Sequence, residues 1–177
     1  MLSLAVFRRF RKIRLQSQLP NPTRFRKLAG MNIFLLSILV LMVVSAGWYW
    51  FEGRWDRRLF VSAPGINFKN LRPRAAMELL NAKNDVQVLD VRSKLEFNWG
   101  CVPDALNIPL GDPDFRERVA ALNISSPVLV YCAGGYRSRK AVAILRELHF
   151  KAVYHLHRGY HSWQIAGQPV MKPVPDN

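Results

Sequence analysis

Cys132 and the residues that follow it are the part of the chain best suited to chemistry. The preceding segment, Pro127-Val-Leu-Val-Tyr131, is apolar and β-branched, which predicts a buried strand that ends at the cysteine. A glycine-rich turn comes next, and a helical pattern runs over 138–149. A cysteine between a strand end and a helix N-terminus lies where backbone N–H groups and the helix dipole stabilise an anion. The sequence therefore predicts a nucleophilic thiolate, or a persulfide, at Cys132.

The loop after Cys132 carries residue types that support this chemistry. Gly134 and Gly135 allow backbone conformations that turn N–H groups inward to form an anion-binding nest. Arg137 supplies a permanent positive charge. Ser138 is expected to cap the following helix and to donate to the sulfur. A buried, inert core thiol is the alternative for Cys132, and the glycine pair and Arg137 favour the nucleophile.

The other metal-ligating and thiol side chains are interpreted as structural. Cys101 is the only other cysteine, and a packed, inert thiol is favoured over a resolving thiol for Cys132. His155, His157 and His161 alternate along a strand and its turn, and we expect them to be surface or partly packed residues rather than metal ligands. The two cysteines form neither a CxxC pair nor zinc-ligand spacing, so no metal or other cofactor is expected.

The elements that must position Cys132 alternate between strand and helix over residues 65–172. Strands are predicted at Val86–Val91, 105–109, 128–131 and 152–156. Helices are predicted at Asn70–Asn81, 96–99, 114–122, 138–149 and 160–166, and Trp163 is expected in the core. This order indicates an α/β domain with a largely parallel sheet flanked by helices. The ligand site of such a sheet lies beyond the carboxyl ends of its strands, where Cys132 falls.

The segment 31–51 predicts one transmembrane helix ahead of this domain. It contains no charged residue, and at 1.5 Å per residue its length is enough for a bilayer core of about 30 Å. Trp48, Tyr49 and Trp50 lie at one end, as interfacial aromatic residues do. An uncleaved anchor is favoured over a signal peptide, although Val44-Ser-Ala46 is similar to a signal-peptidase site. The lipid bilayer is therefore an expected partner.

Charge patterning predicts the topology. Residues 1–30 form a basic tail with eight Lys and Arg residues and no acid, and 52–64 read as a linker. The positive-inside rule places the N-terminus in the cytoplasm and the domain on the far side, in a bacterial inner membrane or, as the competing reading of the Arg-rich tail, in a mitochondrial membrane. Residues 173–177 form a C-terminal tail. An amphipathic helix on lipid, through Phe7 and Phe10 among others, is a second interpretation of the tail.

The net charge of +14 comes largely from that tail. The rest of the chain holds 18 basic residues against all 12 acidic residues. No motif places a basic face within the folded domain, so nucleic acid is not expected as a partner.

Four ordered motifs make the region 65–170 resemble the rhodanese domain of the sulfurtransferases. Asp90-Val-Arg92 with Glu96 and Gly100 resembles the family's D-x-R…E…G segment. The other three are Val102–Pro109, similar to I-P-G-A-x-N-I-P; Tyr131–Ser138, similar to Y-C-x-x-G-x-R-S; and Val153–Leu156 with Gly159…Trp163, similar to V-x-x-L-x-G-G…W. Cys101, Asp104 and Arg158 depart from the family pattern at positions where it commonly has His, Gly and Gly.

The resemblance implies that Cys132 accepts a sulfane sulfur, holds it as a persulfide and passes it to cyanide, a thiol or a protein acceptor. Related phosphatases have a loop one residue longer than the six residues Cys132–Arg137, and the shorter loop suits a terminal sulfur. The implied substrate-binding loop consists of Ala133, Gly134, Gly135, Tyr136, Arg137 and Ser138. Asp90 and Arg92 are implied to support it as a structural pair. Neutral Ala133 and Gly134 leave the donor open, and a non-catalytic or sulfur-carrier module that docks with a membrane partner is the alternative function.

Overall fold

The structure is a computed structural model that describes residues 22–83 and 85–173. The chain divides into two compact units, residues 1–52 and 53–177. The predicted amphipathic helix, most of the basic tail and nearly all of the C-terminal tail fall outside the described residues.

The long helix α1, Pro22–Leu59, contains the predicted membrane segment. Its part Asn32–Leu59 is long and apolar enough to cross a membrane, and it is the one such helix among the described residues. The expected linker at 52–64 includes the last residues of this helix. The second compact unit starts at Gly53, within this helix, and the expected start of the domain at 65 stays a prediction.

The second unit is built around a six-stranded sheet with the order β1-β2-β6-β5-β3-β4. The strands are β1 Ser62–Ala63, β2 Ile66–Leu71, β3 Gln87–Asp90, β4 Ala105–Asn107, β5 Val128–Tyr131 and β6 Ala152–Leu156. The helices are α2 Pro73–Ala82, α3 Lys94–Asn98, α4 Phe115–Ala120, α5 Tyr136–Glu147 and α6 Gly159–Ile165. Only the β1–β2 pair is antiparallel, so the predicted α/β class with a largely parallel sheet is confirmed.

Helices cover both faces of the sheet, which explains the continuous apolar run that ends at Cys132. All four residues of β5 are buried. Val130 packs with Val142 and Leu145 in one core cluster. Leu129 packs with Trp163 in the cluster on the other side, as the sequence predicted for the tryptophan. Burial on both faces is typical of a central parallel strand and fixes where β5 ends.

The prediction of a helix over Asn70–Asn81 was wrong at its start. Residues Ile66–Leu71 form β2, which pairs in parallel with β6, and the helix begins at Pro73. The proline ring restricts Arg72 to extended backbone, and proline is favoured at the first helical position, so the strand must end before the helix starts. This places Asn70 on a strand, opposite His155 in the register.

Candidate active site

Cys132 lies directly after β5, and its sulfur is surrounded by the loop that follows. The backbone N–H of Gly135 donates to Cys132 Sγ over 3.1 Å. Gly135 has φ +96°, and a Cβ there would come within 3.4 Å of the Arg158 backbone. Because L side chains rarely adopt this φ, glycine is favoured at the turn that points this N–H at the sulfur. The side chain of Cys132 is buried.

Helix α5 begins at Tyr136 rather than at Ser138. Gly135 occupies the N-cap position without a side-chain cap, so the prediction that Ser138 caps the helix was wrong. The left-handed conformation of Gly135 ends the turn two residues earlier than the helical pattern suggested. Ser138 is instead buried in the first turn, with Oγ 3.4 Å from Cys132 Sγ and within donating distance of it, as expected.

Arg137 is held by a carboxylate rather than left open in the loop. Its two terminal nitrogens donate to the two oxygens of Glu96 over 2.6 and 2.7 Å. Glu96 also completes a capping box with Ser93 at the start of α3. The hydrogen bonds from Arg137 lower the pKa of Glu96 to about 2, and Glu96 in turn raises the pKa of Arg137. The pair partly neutralises the positive charge next to Cys132.

The loop residues Ala133, Gly134 and Tyr136 carry no charge themselves. Ala133 accepts a backbone hydrogen bond from His161 through its carbonyl oxygen. Gly134 borders open space. Tyr136 is half exposed, with the edge of its ring against Trp55 at 5.4 Å between centroids. The ammonium group of Lys140, whose Nζ lies 5.0 Å from the centroid of the Tyr136 ring, is an exposed cation that borders this part of the loop.

Asp90 and Arg92 form a buried pair at the end of the neighbouring strand β3. Arg92 donates to both carboxylate oxygens of Asp90 over 2.7 to 3.1 Å and to the carbonyl of Gly100 over 2.6 Å. Burial opposes the charge of Arg92, but Asp90 outweighs it and raises the pKa of the guanidinium. Its plane also lies 4.1 Å from the ring centroid of Tyr160. Asp90 and Arg92 therefore form a buried structural pair, and their support of the active loop stays a prediction.

Cys101 is a packed thiol, as expected. Its Sγ lies 3.5 Å from the carbonyl oxygen of Met171, and burial raises its pKa. Both properties disfavour a reactive thiolate. Within residues 22–83 and 85–173, no group of three or more His, Cys, Asp or Glu residues is arranged to hold a metal ion.

The interpretation of His155 as a surface or partly packed residue was wrong. It is buried on β6, between β2 and β5 in the sheet, with Nε2 2.8 Å from the Ser138 hydroxyl oxygen. Burial, and next the positive charge of Arg139, lower its pKa to about 3, so the imidazole is neutral. Its position inside an apolar strand pattern was the signal for burial, because a central parallel strand has no solvent-facing side.

Comparison with known proteins shows the family and the fold of the domain. The family model described as "Rhodanese-like domain" matches residues 73–166. The thiosulfate sulfurtransferase GlpE of Actinobacillus succinogenes is 30% identical over 112 residues, covering 60% of this chain and 98% of the relative. The tRNA uridine(34) hydroxylase of Cytophaga hutchinsonii is 39% identical over 94 residues, but the match covers 51% of this chain and only 30% of the hydroxylase. The crystal structure of a rhodanese-related protein from Thermoplasma volcanium has a TM-score of 0.54 at 28% identity, covering 60% of this chain and all of that one.

Proposed function

Because the chain belongs to the rhodanese-like domain family, we propose that it is a membrane-anchored sulfurtransferase that works through a persulfide of Cys132. The observation that carries the proposal is the short Gly135 N–H to Cys132 Sγ hydrogen bond inside a six-residue loop. A backbone donor aimed at sulfur stabilises a thiolate and, after sulfur uptake, the persulfide. Relatives named as sulfurtransferases support the same type of reaction.

The reaction has two balanced steps. The Cys132 thiolate attacks the sulfane sulfur of the donor, a new S–S bond forms, and the donor fragment leaves with the electron pair of the broken bond. An acceptor nucleophile, such as cyanide or a thiolate, then attacks the terminal sulfur. The electron pair of the S–S bond returns to Cys132, which regenerates the thiolate. No external oxidant or reductant is needed, since each bond formed replaces one broken.

The charge distribution of the loop favours a donor that carries little charge. Arg137 is paired with Glu96, and Ala133 and Gly134 are neutral. Thiosulfate is a dianion, and it would meet the ammonium group of Lys140 near Tyr136 but an Arg137 whose charge is already paired with Glu96. We therefore expect an organic persulfide or mercaptopyruvate to load Cys132 more efficiently than thiosulfate.

We also propose that α1 anchors the domain in the bilayer, with the N-terminus in the cytoplasm and the domain on the far side. The charge-free segment 31–51 and the basic residues before it support this topology. A bacterial inner membrane is the favoured location.

Sulfur transfer by the detergent-solubilised full chain tests the function. Thiosulfate, an organic persulfide and mercaptopyruvate are each offered with cyanide or a thiol as acceptor. We expect turnover with at least one donor, none with Cys132→Ser, and nearly unchanged turnover with Cys101→Ser as the matched thiol control. Loading of Cys132 without release to any acceptor would favour the carrier alternative. Turnover of a phosphomonoester in place of sulfur transfer would refute the proposal.

A further inference from the structure

A continuous series of polar side chains connects the C-terminal end of α1 with the nucleophile. Asp56 Oδ2 accepts from the Nδ2 of Asn70 over 3.0 Å, and Asn70 Oδ1 lies 2.9 Å from His155 Nδ1. His155 Nε2 lies 2.8 Å from Ser138 Oγ, which is 3.4 Å from Cys132 Sγ. These five residues belong to the second compact unit and come from four different elements and the loop after β5. The three central members have no role in the sulfur-transfer steps described above.

The hydrogen-bonding properties of Asp56 determine the proton on His155. A carboxylate accepts only, so the Asn70 NH2 group must face Asp56, and the Asn70 carbonyl oxygen must face His155. That oxygen also accepts only, which requires a proton on His155 Nδ1. A neutral imidazole carries a single ring proton, so Nε2 has none and acts as an acceptor.

The unprotonated Nε2 then competes with Cys132 for the Ser138 hydroxyl. A hydroxyl has one proton, and donating it to Nε2 at 2.8 Å leaves only oxygen lone pairs facing the sulfur. A thiol S–H is compatible with this arrangement, because it donates to the oxygen. A thiolate or persulfide is not, because the hydroxyl must turn toward sulfur and leave the buried Nε2 without a partner.

The opposite tautomer would complete a series of hydrogen bonds that ends on the thiolate. With the proton on Nε2, His155 donates to Ser138, and Ser138 donates to Cys132. The Gly135 carbonyl oxygen, 3.2 Å from Nε2, is a second acceptor for that proton. Charged groups near this region include Arg139, which binds Asp56 and the Gly135 carbonyl, the pair of Arg137 and Glu96, and Arg158, whose backbone lies beside Gly135. His157 is a further titratable neighbour, with Nδ1 3.2 Å from Asn70 Nδ2.

We propose that Asp56 is a positioning residue that, through Asn70, selects the Nδ1–H tautomer of His155 and so withholds the Ser138 hydroxyl from Cys132. The inference rests on the proposed role of Cys132 as the nucleophile. It gives the end of α1 a direct influence on cysteine reactivity. The chemical class of the controlled group is a sulfur anion, either thiolate or persulfide.

The variant Asp56→Asn should reverse the direction of the hydrogen bonds between residue 56, Asn70 and His155. Arg139 donates to both oxygens of Asp56, from Nε to Oδ1 over 2.6 Å and from a terminal nitrogen to Oδ2 over 3.1 Å. The shorter contact favours the amide oxygen of the new side chain at the Oδ1 position, so its NH2 group takes the Oδ2 position, gives up the longer Arg139 contact and faces Asn70. Two NH2 groups cannot share one hydrogen bond, so Asn70 turns over and presents its own NH2 to His155 Nδ1. The imidazole proton then moves to Nε2.

Nitrogen NMR of the full chain labelled on histidine reads the tautomer directly. We expect His155, assigned by the loss of its signals in His155→Gln, to be protonated at Nδ1 in the wild type and at Nε2 in Asp56→Asn. A wild-type protein with the proton on Nε2 would overturn the proposal whatever the variants do. This measurement needs no sulfur donor, so its outcome is independent of whether sulfur transfer occurs.

The rate of Cys132 alkylation as a function of pH measures how the tautomer affects the reactivity of the cysteine. Mass spectrometry identifies the modified peptide. In Asp56→Asn, Ser138 can donate a hydrogen bond to the thiolate, and a hydrogen bond to a charged group contributes about 1.5 to 3 kcal/mol. We therefore expect this variant to lower the midpoint of the rate–pH profile by about one pH unit. Asp112→Asn removes an exposed carboxylate paired with Arg118 and should leave the midpoint unchanged.

A second pair of variants separates the hydrogen-bond effect from the loss of a nearby negative charge. An effect of the Asp56 charge would be the same whether or not residue 138 carries a hydroxyl, whereas the hydrogen-bond effect needs the hydroxyl. In a Ser138→Ala background, we therefore expect Asp56→Asn to shift the midpoint of the rate–pH profile much less than it does in the wild-type background. An equal shift in both backgrounds would assign the effect to charge alone and overturn the proposal, as would an unchanged midpoint in the single variant. Asp56→Glu should restore the wild-type profile.

Discussion

At the scale of single residues, the ion pair between Glu96 and Arg137 sets the charge next to the nucleophile. Arg137 lies five positions after Cys132, where the sequence predicted a permanent positive charge. In the structure both terminal nitrogens of Arg137 bind the carboxylate of Glu96 on α3, which partly neutralises the positive charge next to the loop. The same carboxylate caps α3 through Ser93, so one side chain connects helix stability with loop electrostatics.

Glu96→Gln should lower stability in a pH-dependent way. The pKa of Glu96 in the folded protein is about 2, below its ordinary value of 4.5, so its contribution is fully present above pH 4.5 and is lost as pH falls toward 2. Both side chains are about one-third exposed, and solvent screening limits the expected difference to about 1 kcal/mol at pH 7. Urea unfolding of both proteins at pH 7, 4.5 and 3 measures it. A difference that stays constant or grows as pH falls would contradict the assigned pair.

At the scale of elements, backbone hydrogen bonds from the start of α6 hold the loop after β5 in place. The backbone N–H groups of Tyr160 and His161 donate to the carbonyls of Cys132 and Ala133 over 2.7 and 3.1 Å. Gly159 makes this approach possible: a Cβ there would lie 2.1 Å from the Cys132 carbonyl oxygen. Gly159, which belongs to the last of the four family motifs, therefore helps to fix the position of Cys132.

Gly159→Ala should be much more destabilising than Gly167→Ala. Both glycines have φ close to +60°, but a Cβ at Gly167 meets nothing within 4 Å. At Gly167, where only the backbone conformation is strained, we expect the free energy of unfolding to fall by about 1 kcal/mol. At Gly159, where backbone atoms must also move, we expect it to fall by at least about 3 kcal/mol. Chemical denaturation of the two variants makes the comparison, and equal losses would show that the close approach is unimportant.

The sequence predicted the elements whose signal is local and missed those set by distant partners. Val86–Val91 and the run before Cys132 are short apolar stretches, and both form strands close to the predicted positions. The strand β2 was missed because polar residues such as Asn67 and Asn70 interrupt its pattern, and its pairing with β6 joins residues more than eighty positions apart. The role of Ser138 depended on the left-handed turn at Gly135, which a helical repeat does not reveal.

The same limit applies to the site. Cys132, Arg137 and Asp90–Arg92 follow from motifs with fixed spacing. The partnership of Asp56, Asn70 and His155 joins three separate elements, so no local pattern contained it. Asp104 and Arg158, which depart from the glycines of the family pattern, both keep positive φ in the structure, so the turns persist where the residue types differ.

At the scale of the whole molecule, the apolar part of α1 is expected to hold the protein in a membrane. In the described part of the chain, Asn32–Leu59 is the helix with the required length and composition. We expect the full chain to stay in the membrane fraction after an alkaline carbonate wash. Replacing Leu39 and Val43 by arginine should release it, because each arginine near the centre of a span costs about 3 kcal/mol. Release of the unaltered chain by carbonate would refute membrane anchoring.

The most direct test of the account is the mass of Cys132 after exposure of the full chain to an organic persulfide, thiosulfate or mercaptopyruvate. We expect the peptide that contains Cys132 to gain the mass of one sulfur atom, to lose it on addition of cyanide or a thiol, and to gain nothing when Cys132 is replaced by serine. We expect Cys101 to remain unmodified, since it is buried against Met171. Absence of added sulfur on Cys132 with every donor, in a folded protein, would contradict the assignment of a sulfurtransferase.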